Sequence, residues 1–390
     1  MRRFNLRRFA MFAALLLVLA VATGCVGTRI GVSWPSLRTI GDAQQILVSY
    51  NEMILKIDPR TGSLAELRDS AGQTRFDPET GQARLWRVDG RQIENAQFFS
   101  APIEYTDNRL LVASAALRLL LVDDTAARVE NPSGLPLAGV VVADVTFDDE
   151  RVYVPLSEQG VQAFDLETLE QVWMVSTGNS GVWSKPIVAD GVVYFSSMNH
   201  NVYAVDAATG DTLWSYNLGG AAAGSPTLYE GYLYAGSFAR KLVKLDLSGT
   251  LVGELEMDNW VWSAPTAADG KLYVTDLGGS VYAIDADSFS IDWQVKGSGG
   301  GIRAAPLVTD EYVVVGSRTG LVEWLNRSNG TEVFERNVEA EILSELLLIE
   351  PSETLNLPEP LVIVSTVDPA RLLIAFTATQ GGRQWVYPPQ

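Results

Sequence analysis

Short runs in which apolar and polar residues alternate recur along the whole chain, and the stretch 181–217, GVWSKPIVADGVVYFSSMNHNVYAVDAATGDTLWSYN, contains two of them, VVYFSS and NVYAVD. Alternation rich in β-branched and aromatic residues predicts strands. The punctuation between them, Asp190-Gly191, Asn199 to Asn201 and Thr209-Gly210, predicts turns. The stretch returns with a period of about 40 residues, and a period of that length dictates a repeat architecture before any other consideration.

Four columns measure the repeat. Pro186 has counterparts at Pro35, Pro102, Pro226, Pro265 and Pro306, with Val145 and Leu346 in the two remaining places, and from Pro102 to Leu346 the steps are 43, 41, 40, 39, 41 and 40 residues. Two positions before each stands a small residue: Ser33, Ser100, Ala143, Ser184, Gly224, Ser263, Ala304 and Ser344. A turn column follows at Asp58, Asp123, Asp165, Asp206, Asp246, Asp285, Asn326 and Thr377. Asp or Asn there, followed by Thr-Gly or a relative, accepts hydrogen bonds from the turn backbone while Gly takes a positive φ. Eight residues beyond come Trp173, Trp214, Trp293 and Trp385, with Phe334 standing in once.

Four short strands per repeat and eight repeats predict an all-β fold, an eight-bladed β-propeller of four-stranded antiparallel blades. Blades start near 32, 99, 142, 183, 223, 262, 303 and 343. The small residues are expected where eight inner strands converge. The tryptophans are expected on outer strands, docking one blade on the next. This makes Trp173, Trp214, Trp293 and Trp385 structural residues and not candidates for catalysis.

The pattern small-x-Pro … Val-Tyr … Val-Tyr-Ala-x-Asp-x-x-Thr-Gly … Trp resembles the pyrroloquinoline-quinone (PQQ) type repeat, most cleanly over 181–340. Eight-bladed propellers of that family include the quinoprotein dehydrogenases and BamB-like lipoproteins of outer-membrane β-barrel assembly. The repeat is a structural unit and does not itself imply the cofactor. Membership of the dehydrogenases would require an adjacent-cysteine pair, a calcium-binding set of acids and amides, and a catalytic aspartate. Cys25 is the only cysteine, so the pair is absent. Neither PQQ nor calcium is expected, and no catalytic residue is assigned. His200, the only histidine, sits in a turn, which leaves no histidine metal cluster or histidine-based triad. The acceptor-like Asn326-Arg-Ser328 and Asn329-Gly-Thr331 fall in the blade-seven turn and read as turn chemistry.

Arg2, Arg3, Arg7 and Arg8, an apolar run from Phe9 to Ala22, and Thr23-Gly24-Cys25 read as a secretory signal over 1–24. Cysteine after Gly24 resembles a lipoprotein box, so Cys25 is the expected lipidation site, 25–31 a short tether, and 32–390 a single propeller domain. Loss of the leader removes four arginines and no acids, taking the net charge from −18 to −22. Phosphate binding needs a basic face, so nucleic acid is not an expected partner. An N-terminal diacylglyceryl anchor, not charge, would hold this monomeric protein to a membrane outside the cytoplasm.

Two repeats depart from the spacing. Residues 63–98 lengthen blade one and contain a second Asp-Pro-x-Thr-Gly turn at Asp77 to Gly81, which competes with Asp58 to Gly62 for the regular role. Residues 350–360 lengthen blade eight between its first two strands. Both insertions belong on one face, at neighbouring blades once the ring closes, where they form a candidate partner patch. Residues three before the proline column, Val32, Phe99, Val142, Trp183, Ala223, Trp262, Arg303 and Leu343, should line one mouth of the channel. Of these, Phe99, Trp183, Trp262 and Arg303 are the candidates for a ligand or partner, able to clamp an aromatic, carboxylate or peptide group or simply to plug the channel. Asp144 and Glu345, immediately before the column, are the acids that can approach the axis. The sequence therefore points to a non-catalytic scaffold binding a protein partner or an envelope polymer. The competing readings are a PQQ-dependent oxidoreductase and a small-ligand or polysaccharide sensor built on Trp183, Trp262 and Arg303.

Overall fold

A computed structural model describes residues 34–69, 71–106 and 108–389. The signal, Cys25, the tether, Val32 and Ser33 lie outside the described residues.

Eight separate antiparallel sheets succeed one another along the chain, over 36–89, 103–136, 146–176, 187–217, 227–256, 266–296, 307–337 and 347–387. Blade four is representative: Ile187–Ala189, Val192–Ser196, Asn201–Asp206 and Thr212–Asn217 pair in simple up-and-down order. First strands of several successive blades, including those of blades one and eight, touch each other, so they form the inner ring and the fourth strands the rim. Second and third strands are buried almost throughout, as in VVYFS and NVYAVD, because each lies between two neighbouring sheets. Fourth strands such as TLWSYN alternate half-buried with exposed positions, the signature of one wet face. Apolar clusters accordingly span adjacent blades: Val193 and Phe195 of blade four pack with Tyr153 and Trp173 of blade three.

The small column lies where the inner strands converge, several members lining the axial cavity while packing against the next blade. A Cβ on Gly224 would lie 2.6 Å from the backbone carbon of Ser263 in the next blade. Ser184 instead turns its hydroxyl back to its own second strand, donating to Ser196 O at 2.9 Å and accepting from Ser196 N at 3.1 Å. Inner strands are also tied sideways, Thr227 Oγ1 donating to Pro265 O at 2.6 Å and Thr266 Oγ1 to Pro306 O at 2.7 Å.

The aromatic column docks blades three, four, six and eight on their successors by one repeated device. Trp173, Trp214, Trp293 and Trp385 donate Nε1–H to the carbonyls of Ala207, Leu247, Arg327 and Pro59, each the residue after the turn Asp or Asn of the following blade. Their rings lie over Gly210, Gly249, Gly330 and Gly62, where a Cβ would come within 2.8 Å of the indole. Trp385 thus closes the ring from blade eight onto blade one with the same bond, 2.8 Å long, that joins the others. Reciprocal bonds between Gln44 and the backbone of Glu350 reinforce the seam.

This device settles which blade-one turn is regular. Gly62 sits under Trp385, whereas Gly81 has nothing within 4 Å. The Asp77 turn belongs to an excursion held by the isolated bridges Glu66↔Leu85 and Phe76↔Ala83. Past it, Trp86 donates to Asp124 O at 2.7 Å and fills the blade-one place in the column. Sequence spacing alone misses Trp86 because the insertion carries it away from Asp58. Blade two also departs from the regular pattern: its rim strand is broken into Arg128–Val129 and Leu135–Pro136. Asn131 occupies the aromatic position there, and its Oδ1 accepts from Leu121 N at 2.7 Å in place of a ladder bond.

In the other blades the cross-strand partner of the column balances its volume. Ala163, Ala204, Ala283 and Ala375 stand opposite tryptophan, Trp324 opposite the smaller Phe334, and Lys244 opposite Gly253. At blade five the polarity is reversed, since Phe289 comes from the blade-six turn and fills the space above Gly253. Lys244 Nζ replaces the missing indole donor, reaching Ala286 O at 2.6 Å.

Candidate functional site at the channel mouth

Strands alternate in direction, so the turns after first and third strands emerge on one face and the connections between blades on the other. Both insertions therefore share the first face, and Leu64 and Leu355 from their bases join one apolar cluster with Trp385. The mouth residues belong to the opposite face. Phe99, Val142, Trp183, Ala223, Trp262, Arg303 and Leu343 all line one axial cavity of about 620 Å³, as the column predicts.

Four of these side chains, with Trp34, form a continuous chain of contacts across the mouth. Phe99 meets Trp34 edge-on at 5.1 Å between ring centroids. The Arg303 guanidinium lies 4.3 Å from the Trp34 ring and 4.6 Å from the Trp262 ring, so both its faces are covered. Trp262 meets Trp183 edge-on at 6.4 Å, across blade five, whose residue in the mouth column is the small Ala223. Trp262 also stacks on Phe238 at 5.2 Å, and Phe238 on Trp260 at 5.1 Å and 13°. Trp260 is 48% exposed, so the stack runs from the axis to open surface. Phe238 comes from the turn between the second and third strands of blade five, and Trp260 from the connection to blade six. Neither occupies a repeating column, which is why spacing arguments overlook them; Trp34 was missed because it stands beside the proline, not three before it.

Arg303 makes no hydrogen bond or ion pair with a described residue. Burial, with the charge of Arg318 adding to it and Glu341 opposing, lowers its pKa to about 10, which leaves it cationic at neutral pH. A guanidinium stacked on both faces presents only its edge, the fork of N–H donors that fits a carboxylate.

The acids of the wall have different standing. Asp144 is committed to the framework, accepting from Ser36 Oγ at 2.9 Å and Ala101 N at 3.2 Å and pairing with Arg38 at 3.5 Å. Glu345 has no such partners: its side chain opens into the cavity, and the cavity wall surrounds it. That enclosure raises its pKa, with Asp144 acting in the same direction and Lys185 against. The residues do not suit PQQ with a bound calcium. The slot between Trp34 and Trp262 that would take a planar quinone is filled by Arg303, and Glu345 is the wall acid left free to ligate. His200 has φ 76° in the blade-four turn and its amide bonds Ser197 O, an ordinary turn residue. Asn326 and Asn329 likewise accept from Ser328 N and Thr331 N within their turn.

Comparison with known proteins agrees with this architecture. The chain is 26% identical over 226 residues to the outer membrane protein assembly factor BamB of Yersinia pestis, covering 56% of this chain and 57% of that protein. It is 29% identical over 185 residues to the dehydrogenase subunit of the quinone alcohol dehydrogenase of Gluconacetobacter polyoxogenes, covering 38% of this chain and 24% of the other. Less than two thirds of either relative's length is therefore matched. The crystal structure of BamB from Moraxella catarrhalis superposes with a TM-score of 0.62 at 16% identity, over 88% of this chain and 98% of that one, a likeness of fold. The family model described as outer membrane protein assembly factor BamB matches residues 71–223 and 198–385, most of the repeat array, and the chain belongs to that family.

Proposed function

We propose that this chain is a non-catalytic, extracytoplasmic scaffold, lipid-anchored through Cys25, that serves outer-membrane protein assembly by holding a protein partner at the channel mouth. The observation that carries this reading is Arg303, pinned flat between Trp34 and Trp262 with its donor edge unclaimed, at the inner end of an aromatic stack that reaches the surface at Trp260. A partner segment laying an apolar or aromatic side chain on Trp260 and Phe238 and a carboxylate on Arg303 would use both. Large flat rings give contact area at low entropic cost, and arginine and tryptophan dominate interface energetics for that reason.

The experiment is a pull-down from detergent-solubilised membranes with wild type, Trp260→Ala/Arg303→Ala and a deletion of 352–360. Loss of the partner with the double substitution and its retention with the deletion support the mouth. Retention with the double substitution refutes it, and loss with the deletion alone moves the partner to the opposite, insertion-bearing face.

A further inference from the structure

Where blade six connects to blade seven, outside the residues that line the axial cavity, three carboxylates converge. Glu323, on the third strand of blade seven, stands directly opposite Glu335 on the fourth, and Glu332 lies beside them. One carboxylate oxygen from each lies within 4.8 Å of the others. Like charges placed opposite each other on a sheet are destabilising. Yet among the described residues none of the three is paired with a lysine or arginine.

Glu323 is 1% exposed. Its Oε1 is held by Ser298 N at 2.8 Å and by Ser298 Oγ at 3.1 Å, while its buried Oε2 has no hydrogen-bond partner. Ser298 Oγ is also 3.1 Å from Glu335 Oε2, but one hydroxyl carries one proton and serves one carboxylate at a time. A buried carboxylate oxygen without donor or cation is costly unless something fills the place. Room is kept beside it: a Cβ on Gly297 would sit 2.8 Å from Oε2. Glu332 and Glu335 are exposed, so the cluster opens to solvent on one side.

We propose that Glu323, Glu335 and Glu332 bind a hard divalent cation of the calcium class at this junction. An all-oxygen set of carboxylates with a serine hydroxyl at hand suits calcium, which accepts flexible coordination completed by water, and not the softer metals that seek nitrogen or sulfur. The bound ion stitches the two strands of blade seven to Ser298 at the end of blade six.

The test uses the whole detergent-solubilised protein, stripped with chelator. Terbium, a calcium mimic, is titrated in and its emission sensitised through tryptophan, Trp324 being the residue next to Glu323. The expected result is saturation at one ion per chain, displacement by calcium, and at least tenfold weaker binding in both Glu323→Gln and Glu335→Gln. Glu353→Gln, at an exposed position of the blade-eight insertion, leaves binding unchanged. Calcium also raises the melting temperature of wild type but not of Glu323→Gln. Removing one charge from the cluster does not threaten folding, so the comparison remains readable. Emission that calcium does not displace, or equal affinity in wild type and Glu323→Gln, overturns the site. So does a calcium-independent melting temperature that rises in Glu323→Gln, the behaviour of carboxylates sharing protons.

Discussion

The reversed docking at blade five gives a prediction whose sign differs from the ordinary rule. Phe289 holds φ 50° at the turn position where Gly210 and Gly330 stand in other blades, and its ring fills the space over Gly253. Truncating a fully buried Phe to Ala costs about 3–5 kcal/mol. Phe289 is only partly buried, so about 2 kcal/mol is expected for Phe289→Ala. In a regular strand or helix a further step to Gly loses about 0.5–1 kcal/mol. Here Ala would keep the strained left-handed backbone, worth about 1–2 kcal/mol, and Gly would release it. Phe289→Gly should therefore be the more stable of the two by about 1 kcal/mol, although it removes more atoms.

The partner position tests the same contact from the other side. A Cβ on Gly253 would meet Phe289 Cδ1 at 2.6 Å. Gly253→Ala should then cost about 1–3 kcal/mol through overpacking. In a Phe289→Gly background the obstacle is gone, and the same substitution should stabilise by about 0.5–1 kcal/mol. Urea unfolding followed by tryptophan fluorescence, analysed as a double-mutant cycle, reads the coupling directly. Equal effects of Gly253→Ala in both backgrounds, within about 0.5 kcal/mol, would show that the two residues do not share one space.

Three more outcomes are expected. Trp385→Ala removes the indole that closes the ring through Pro59, at a cost of about 3–5 kcal/mol, and limited proteolysis should then cut first near the blade-one and blade-eight junction. Arg303→Met keeps a long side chain between Trp34 and Trp262; relief from burying a charge roughly offsets the lost cation–π attraction of about 0.5–2 kcal/mol, so stability stays nearly constant while partner capture falls. For Glu345 the folded pKa lies above the unfolded one, so ionisation at neutral pH opposes folding and the penalty fades as pH falls through the folded pKa. Glu345→Gln should therefore melt above wild type at pH 7, with the gap closing on acidification. A gap that widens in acid would contradict the assigned shift.

Much of this was legible before any coordinates because a propeller repeats its physics. One blade must bury both faces against neighbours, so proline, small-residue, turn and tryptophan columns recur, and they located the blades and seven described mouth residues. What escaped has a common cause. Trp86 and Trp34 do the column's work or the mouth's work from shifted positions. Phe238 and Trp260 belong to connections outside the columns. Lys244 and Phe289 look like substitutions that break the pattern until the sheet register places one opposite Gly253 and the other above it. Glu323 reads as one polar residue in a strand; only the pairing with Glu335 reveals the crowding.

Departures from the repeat therefore divide by what they leave behind. At blade five the missing tryptophan is replaced in volume by Phe289 and as a donor by Lys244, and at blade seven the smaller Phe334 is matched by Trp324 across the strand. The blade-five departure is complete in itself, since volume and hydrogen bond are both restored; at blade seven volume is restored, while the buried Trp324 Nε1 keeps no hydrogen-bond partner. Arg303 and Glu323 are different: packing around them is finished, but a guanidinium edge and a carboxylate oxygen remain unanswered. Such a group is a standing cost to the free protein, and a cost the framework does not offset internally is recovered when a complementary charge arrives. The two unanswered groups have opposite signs and lie at different places, one suited to a partner's carboxylate and the other to a metal ion. Their variants should accordingly separate, Arg303 affecting capture without altering calcium response and Glu323 the reverse.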